Sequence, residues 1–142
     1  MIRELAVCVA VCVVSPAEFD RDGLHLSNLR AQRDAVSTLE PAPDVCFIDA
    51  YAIPEGRYAT NALKDGDNTS AAVTAASIIA TTTRDDLMVE LAEEYPGYGF
   101  EGHTGYINDV HNDAIRRHGV TPHHRRSSEQ RSTASSACVS RA

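Results

Sequence analysis

The sequence predicts an α/β fold. Two short apolar runs, residues 5–14 and Val45-Cys46-Phe47-Ile48, are too short for buried helices and read as buried strands. Stretches at helical spacing separate and follow them, the alternation expected of a sheet flanked by helices. An acid, Asp49, stands directly after the second run, at the strand edge where open α/β sheets place their ligands.

The first run lies between Glu4 and Ser15. Ser15-Pro16-Ala17-Glu18 then fits a capping box with proline at the first helical position: the serine hydroxyl takes the Glu18 amide and the Glu18 carboxylate reaches back. Gly23 stops this helix. A second helix, with Leu26, Leu29, Arg30, Arg33, Val36 and Leu39 at helical spacing, continues to Pro41. After the strand that ends on Asp49, Gly56 opens a third strand, residues 57–63, before the polar turn Asp65-Gly66-Asp67-Asn68. Residues 69–95 are expected to be helical. Their first half is small and apolar (Ala71, Ala72, Ala75, Ala76, Ile78, Ile79), their second half amphipathic (Leu87, Met88, Leu91), and Pro96-Gly97 ends them. Asn108 or Asp109 caps a last helix whose Val110, Ala114 and Ile115 share a face and which stops at Gly119. Beyond Arg126 the chain turns to serine, arginine, threonine and alanine, a composition with little to bury. One domain over residues 1–127 and a disordered tail over 128–142 are therefore expected.

A chain of 142 residues that is 43% hydrophobic suits one buried core and excludes a disordered protein. No run approaches the roughly 18 uncharged apolar residues of a membrane span. The first residues superficially resemble a signal peptide, yet Glu4 lies in the charged region and Ser15-Pro16-Ala17-Glu18 is a helix start, so a cytoplasmic protein without a membrane partner is expected. Cys8, Cys12, Cys46 and Cys138 form no CxxC pair, and three lie in apolar runs, which reads as reduced, buried thiols. The net charge of −7 is unevenly spread: residues 1–115 hold 19 acids and 7 bases, net −12, whereas residues 116–142 hold 6 arginines and one acid, net +5. A nucleic-acid duplex could meet the basic end and avoid the acidic body.

The residues that carry chemistry are few. Asp49, at its strand end, and Asp67, in a glycine-containing turn between strand and helix, are both placed to face a cleft. Two such carboxylates could hold a magnesium ion, which prefers oxygen ligands. From spacing alone the simpler reading is preferred, in which Asp49 ends a loop and Asp67 caps the next helix. Tyr106 reads by itself as a core aromatic with a wet hydroxyl. His103, His111, His118, His123 and His124 form no HxxxH or HExxH pair and read as surface or packing residues.

Several motifs in order carry a resemblance. Ser15-Pro16-Ala17-Glu18 with Asp20, then Phe47-Ile48-Asp49, come first. Ala75-Ala76-Ser77-Ile78-Ile79-Ala80 follows, with Thr83-Arg84-Asp85 and Leu87-Met88. Next stand Tyr95-Pro96-Gly97-Tyr98-Gly99-Phe100, His103 and Gly105-Tyr106, and last Pro122 with His124-Arg125-Arg126-Ser127. Over residues 5–127 these motifs resemble the bacterial ribonuclease HII family. The resemblance implies a ribonuclease H-like mixed sheet with flanking helices. It implies an endonuclease that cuts RNA in RNA–DNA hybrids and at ribonucleotides embedded in DNA, acting as a monomer when complete. Asp49 and Asp67 would be catalytic metal ligands for Mn2+ or Mg2+, and Tyr106 would pack on the sugar at the DNA–RNA junction. Two divalent ions would clamp the scissile phosphate, and a 2′-hydroxyl would mark the RNA.

The sequence also departs from the family. The family opens with a central strand carrying an adjacent Asp-Glu pair and a Gly-Arg-Gly loop, and neither is present, so an amino-terminally truncated domain with an incomplete sheet and half a metal site is expected. Thr81 and Thr104 replace two lysines, which removes phosphate contacts. Asp65 displaces the lysine before Gly66-Asp67 to Lys64, and Ser128 replaces a closing aromatic. A non-catalytic remnant or nucleic-acid-binding module of the same family is the alternative.

Overall fold

The computed structural model describes residues 1–53 and 58–127. The order of elements is α1 (Ile2–Leu5), α2 (Pro16–Ser37), β1 (Val45–Asp49), β2 (Ala59–Leu63), α3 (Gly66–Thr69), α4 (Ala71–Glu94), α5 (Phe100–His103) and α6 (Asp109–His118). The fold is α/β, as expected. Its sheet, among the described residues, is two parallel strands with Val45 opposite Ala59 and Asp49 opposite Leu63. Gly56, Arg57, Ser128 and the tail expected to be disordered lie outside the described residues.

Local chemistry accounts for the elements that came out as read. Ser15 Oγ accepts the Glu18 amide and the Glu18 carboxylate takes the Ser15 amide at 3.0 Å, the reciprocal cap that starts α2. Gly23, at φ 77, breaks the helical path within α2, a conformation that costs other residues more. Asn108 Oδ1 accepts the His111 amide at 2.8 Å and starts α6.

The sheet core is small. Along β1 the side chains alternate, with Cys46 and Ile48 buried and Val45 and Phe47 exposed. Ile53, from the connection between the strands, packs on Cys46 and Ile48 together with Tyr58 and Val36. Burial pushes the Cys46 thiol above its ordinary pKa, which keeps it protonated. The opposite face of β1 is open, and Phe47 is 51% exposed. A second cluster, Tyr98, Phe100 and Ala114 with Met88, Leu91, Ala92 and Tyr95, joins the second half of α4 to α5 and α6.

One reading needs correction, and two helices bury faces that the sequence pattern alone does not mark. Residues 5–14 do not form a buried strand: Leu5 closes α1, and the chain then runs on with no strand pairing among the described residues. Its exposure nevertheless alternates, with Cys8, Ala10, Cys12 and Val14 half-buried and Val7, Val9, Val11 and Val13 exposed. That is the period of a strand without a ladder, because strand identity requires a neighbour as well as a valine-rich run. In α4 the small apolar half is only partly covered. Val73 and Ile79 are buried, whereas Ala71, Ala72, Ala76 and Ile78 are exposed, since a two-stranded sheet is too narrow to cover them. In α6 the buried face is His111 and Ala114, and Val110 is exposed, because imidazole and not valine faces the aromatic cluster.

Candidate functional site

The acidic edge forms where the two strands end. Asp49 is the last residue of β1, and the Ala50 amide, at φ 68, donates to the Leu63 carbonyl at 3.0 Å. The chain leaves β2 through Lys64 and Asp65, the latter in the left-handed region at φ 53, and this turn aims the Gly66 amide back at β1. That amide donates to Asp49 Oδ1 at 2.9 Å. Gly66 is buried, and a Cβ there would lie 3.3 Å from Asp49 Oδ1, so a glycine is what allows the approach. Asp67 follows immediately. Both aspartates are exposed, as a cation site on a surface requires.

The simpler reading therefore holds in part. Asp49 does tie a loop, through Gly66. Asp67 does not cap a helix: its carboxylate accepts from Asn68 Nδ2 at 3.3 Å, and the N-cap position of α4 is Ser70, with no side-chain cap bond. The Asp67 carbonyl takes the Thr74 hydroxyl and so fixes the turn against the first turn of α4. Asp49 is thus bound to the Gly66 amide at the end of β1, and Asp67 is the next residue along the chain. Among the described residues no group of three or more His, Cys, Asp or Glu side chains converges to hold a metal ion. Paired carboxylates suit a hard divalent cation, but this donor set falls short of a two-ion centre.

Tyr106 lies apart from that edge, in the loop between α5 and α6. It is not a core aromatic. The residue is 61% exposed, and its hydroxyl is engaged by Arg84 of α4, whose Nη1 donates to it at 2.9 Å. The Arg84 guanidinium also sits 4.7 Å from the ring centroid. Asp85 holds that guanidinium at 2.9 Å. The Tyr106 hydroxyl first, and Asp85 second, raise the Arg84 pKa further, so the charge is permanent. An exposed ring held from below by a cation is a platform for a planar or sugar ligand. Arg84 was not singled out as a site residue from sequence, because its partner lies 22 positions away.

The closing motif folds onto α2. Asp20 accepts from the Arg126 amide at 2.8 Å, the Ser127 amide at 3.0 Å and the Ser127 hydroxyl at 2.7 Å. Those bonds, the Ser127 hydroxyl foremost, hold the Asp20 carboxyl below its ordinary pKa. Arg125 lies over the Phe19 ring at 4.2 Å. These contacts place Arg125 and Arg126 at the surface beside α2. No helix among the described residues is long and apolar enough to cross a membrane.

Residues 4–131 match the family described as Ribonuclease HII. The ribonuclease HII of Corynebacterium efficiens is 39% identical over 125 residues, covering 88% of this chain and 54% of that protein. That of Geobacillus kaustophilus is 44% identical over 126 residues, covering 89% and 48%. The chain spans about half the length of these curated relatives. Among solved structures, the ribonuclease H2 from Pyrococcus horikoshii superposes with a TM-score of 0.62 at 25% identity, over 80% of this chain and 62% of that one.

Proposed function

Because this chain belongs to the ribonuclease HII family, we propose that it supplies part of the active site of an endonuclease for RNA–DNA hybrids and ribonucleotides embedded in DNA. In that reading Asp49 and Asp67 hold Mn2+ or Mg2+, and Tyr106 packs on the sugar at the DNA–RNA junction. The single observation that supports it most is the Gly66 amide on Asp49, which ties the end of β1 to the residue directly before Asp67. The bound ions would supply the positive charge that activates water and stabilises the departing 3′ oxygen.

The chain's own residues have separable parts in this proposal. Gly66 admits Asp49 to the turn and so fixes where a cation would sit. Arg84 orients the Tyr106 ring. About 15 Å of α4 axis separates Thr74, at the acidic edge, from Arg84, a distance a duplex covers in about four to five phosphates of one strand. Arg116, Arg117, Arg125 and Arg126 are exposed cations that would meet the backbone.

A second reading concerns this chain taken alone. Two carboxylates do not balance two divalent ions, and no third metal-ligating side chain joins them among the described residues. That favours a nucleic-acid-binding module without cleavage of its own. One spectroscopic test addresses the metal assignment independently of activity. Substoichiometric Mn2+ added to 15N-labelled chain at low ionic strength should broaden the Gly66 and Asp67 amides first, and Asp49→Asn should remove the effect. Broadening that spares both amides while other acidic segments broaden would refute the assignment.

A further inference from the structure

Beneath the Tyr106 loop lies a cluster of three histidines that the acidic edge does not use. His103 ends α5, His111 lies in the first turn of α6, and His124 belongs to the closing segment. His103 and His111 are each only 7% exposed, and their rings stack at 4.5 Å with 11° between the planes. The His124 ring is 5.3 Å from that of His111, and Phe100 lies 5.8 Å from all three.

The hydrogen bonds decide where each proton sits. His111 Nδ1 is 3.1 Å from the Tyr106 carbonyl, which can only accept, so Nδ1 carries the hydrogen and Nε2 is the lone pair. His124 Nδ1 receives the Thr121 amide at 3.0 Å, which can only donate, so the hydrogen of a neutral His124 is on Nε2. The two Nε2 atoms are 3.1 Å apart, donor facing acceptor. His103 Nδ1 receives the Gly105 amide at 3.2 Å, and its Nε2–H donates to the Tyr98 carbonyl at 2.9 Å. In its neutral form each ring is thus held in one tautomer, and each lone pair already faces an N–H. An added proton on any ring would set hydrogen against hydrogen, and the same occupancy leaves no lone pair for a metal.

Two of these bonds end on the loop itself, one on the Gly105 amide and one on the Tyr106 carbonyl. Thr104 and Gly105 are both left-handed, at φ 45 and 81, a path the loop would not hold unaided. We propose that His103, His111 and His124 form a neutral, tautomer-locked clamp that positions the loop bearing Tyr106, and that acid opens it. The consequence for substrate rests on the reading of Tyr106 as the sugar contact; the clamp does not. The titratable and charged groups on the elements that carry or contact the cluster are Tyr95, Tyr98, His118 and His123 at the aromatic cluster, Glu94 and Arg84 of α4, Glu101 of α5, Asp109, Asp113, Arg116 and Arg117 of α6, and Arg125 and Arg126 of the closing segment. Asp113 is taken by Arg116 and Arg84 by Asp85, and among the described residues no carboxylate is ion-paired with His103 or His111. Burial acts in the same direction, holding the His111 pKa below its ordinary value.

The sign follows from where protons bind. His111, whose pKa burial holds below its ordinary value, takes a proton more readily once the loop opens, so its hold on the Tyr106 carbonyl is fully present above the ordinary imidazole pKa of about 6.5 and is lost as pH falls through the lowered value. Long-range 1H–15N imidazole spectra of the full chain at low ionic strength should show the Nδ1–H tautomer at His111 and the Nε2–H tautomer at His103 and His124. On acidification the Gly105 and Tyr106 amides should move together with the ring signals. His111→Asn, which keeps a donor near Nδ1, should preserve the Tyr106 amide position at neutral pH, and His111→Gln, whose amide reaches Nε2 instead, should shift it. An Nε2–H tautomer at His111, or histidines that titrate while the loop amides stay fixed, would overturn the clamp. If the tautomers are as assigned but the chain binds a ribonucleotide-containing duplex no better than plain DNA, the clamp stands and the role of Tyr106 fails.

Discussion

At position 66 there is no room for a side chain. A Cβ would lie 3.2 Å from the Leu63 Cβ and 3.3 Å from both Asp49 Oδ1 and Val73 Cγ1. Gly66→Ala should therefore displace Asp49 and cost about 1–3 kcal/mol of stability, the range for overpacking a tight contact. Urea titration reads the cost, and the Mn2+ broadening described above should weaken in the same variant; unchanged stability and unchanged broadening would mean that the glycine is incidental. Asp49 was legible in the sequence because an acid that closes an apolar strand has few places to go. Asp67 was legible as a turn residue and as a possible partner of Asp49, but the Gly66 amide that binds Asp49 was not, since that bond spans 17 positions. The exposure of Tyr106 was legible only through the family resemblance, which puts it on a sugar; read by itself it was a core aromatic, since aromatic residues are more often buried than mounted on an arginine.

Caps and glycine stops gave the helices away, because their chemistry is local. The Ser15 box, the break at Gly23 and the Asn108 cap each involve residues within a few positions. Residues 5–14 were misread for the opposite reason, as a strand is completed by its neighbour and valine content reports only a preference. The attachment of the closing motif to α2 was likewise hidden, since Asp20 and Ser127 are 107 positions apart. That attachment has a testable pH dependence. The Asp20 carboxyl is held low in the folded chain, so its tether is intact above the ordinary carboxylate pKa of about 3.9 and lost as pH falls through the lowered value. The Arg126 and Ser127 amides should shift in that acid range in the wild type and already be shifted at neutral pH in Asp20→Asn. A wild-type pattern in Asp20→Asn would show that the Phe19–Arg125 contact suffices.

Taken whole, the chain has two small hydrophobic clusters and, among the described residues, no side chain less than 2% exposed. Val7, Val13, Phe47 and Ile78 all face solvent, as does one face of β1. Unpaired strand edges with apolar neighbours invite pairing with another copy. The net charge of −7 opposes that, but salt screens such repulsion beyond about 10 Å at roughly 0.1 M. A helical circular-dichroism signal, a broad melt and association that increases with salt are therefore expected; light scattering that stays monomeric with a sharp transition at moderate salt would show a complete domain. The most direct test of the acidic edge is cleavage in a fusion. The chain alone should leave a duplex with one embedded ribonucleotide uncut in Mn2+, because two carboxylates cannot fix two divalent ions. Joined to the family's opening strand with its Asp-Glu pair, it should nick that duplex 5′ to the ribonucleotide. Asp49→Asn or Asp67→Asn should abolish the nick, and Tyr106→Ala should lower ribonucleotide preference by about tenfold, within the range of a lost aromatic platform. Specific nicking by the chain alone, or a fusion that remains fully active with Asn at 49 or 67, would contradict the account.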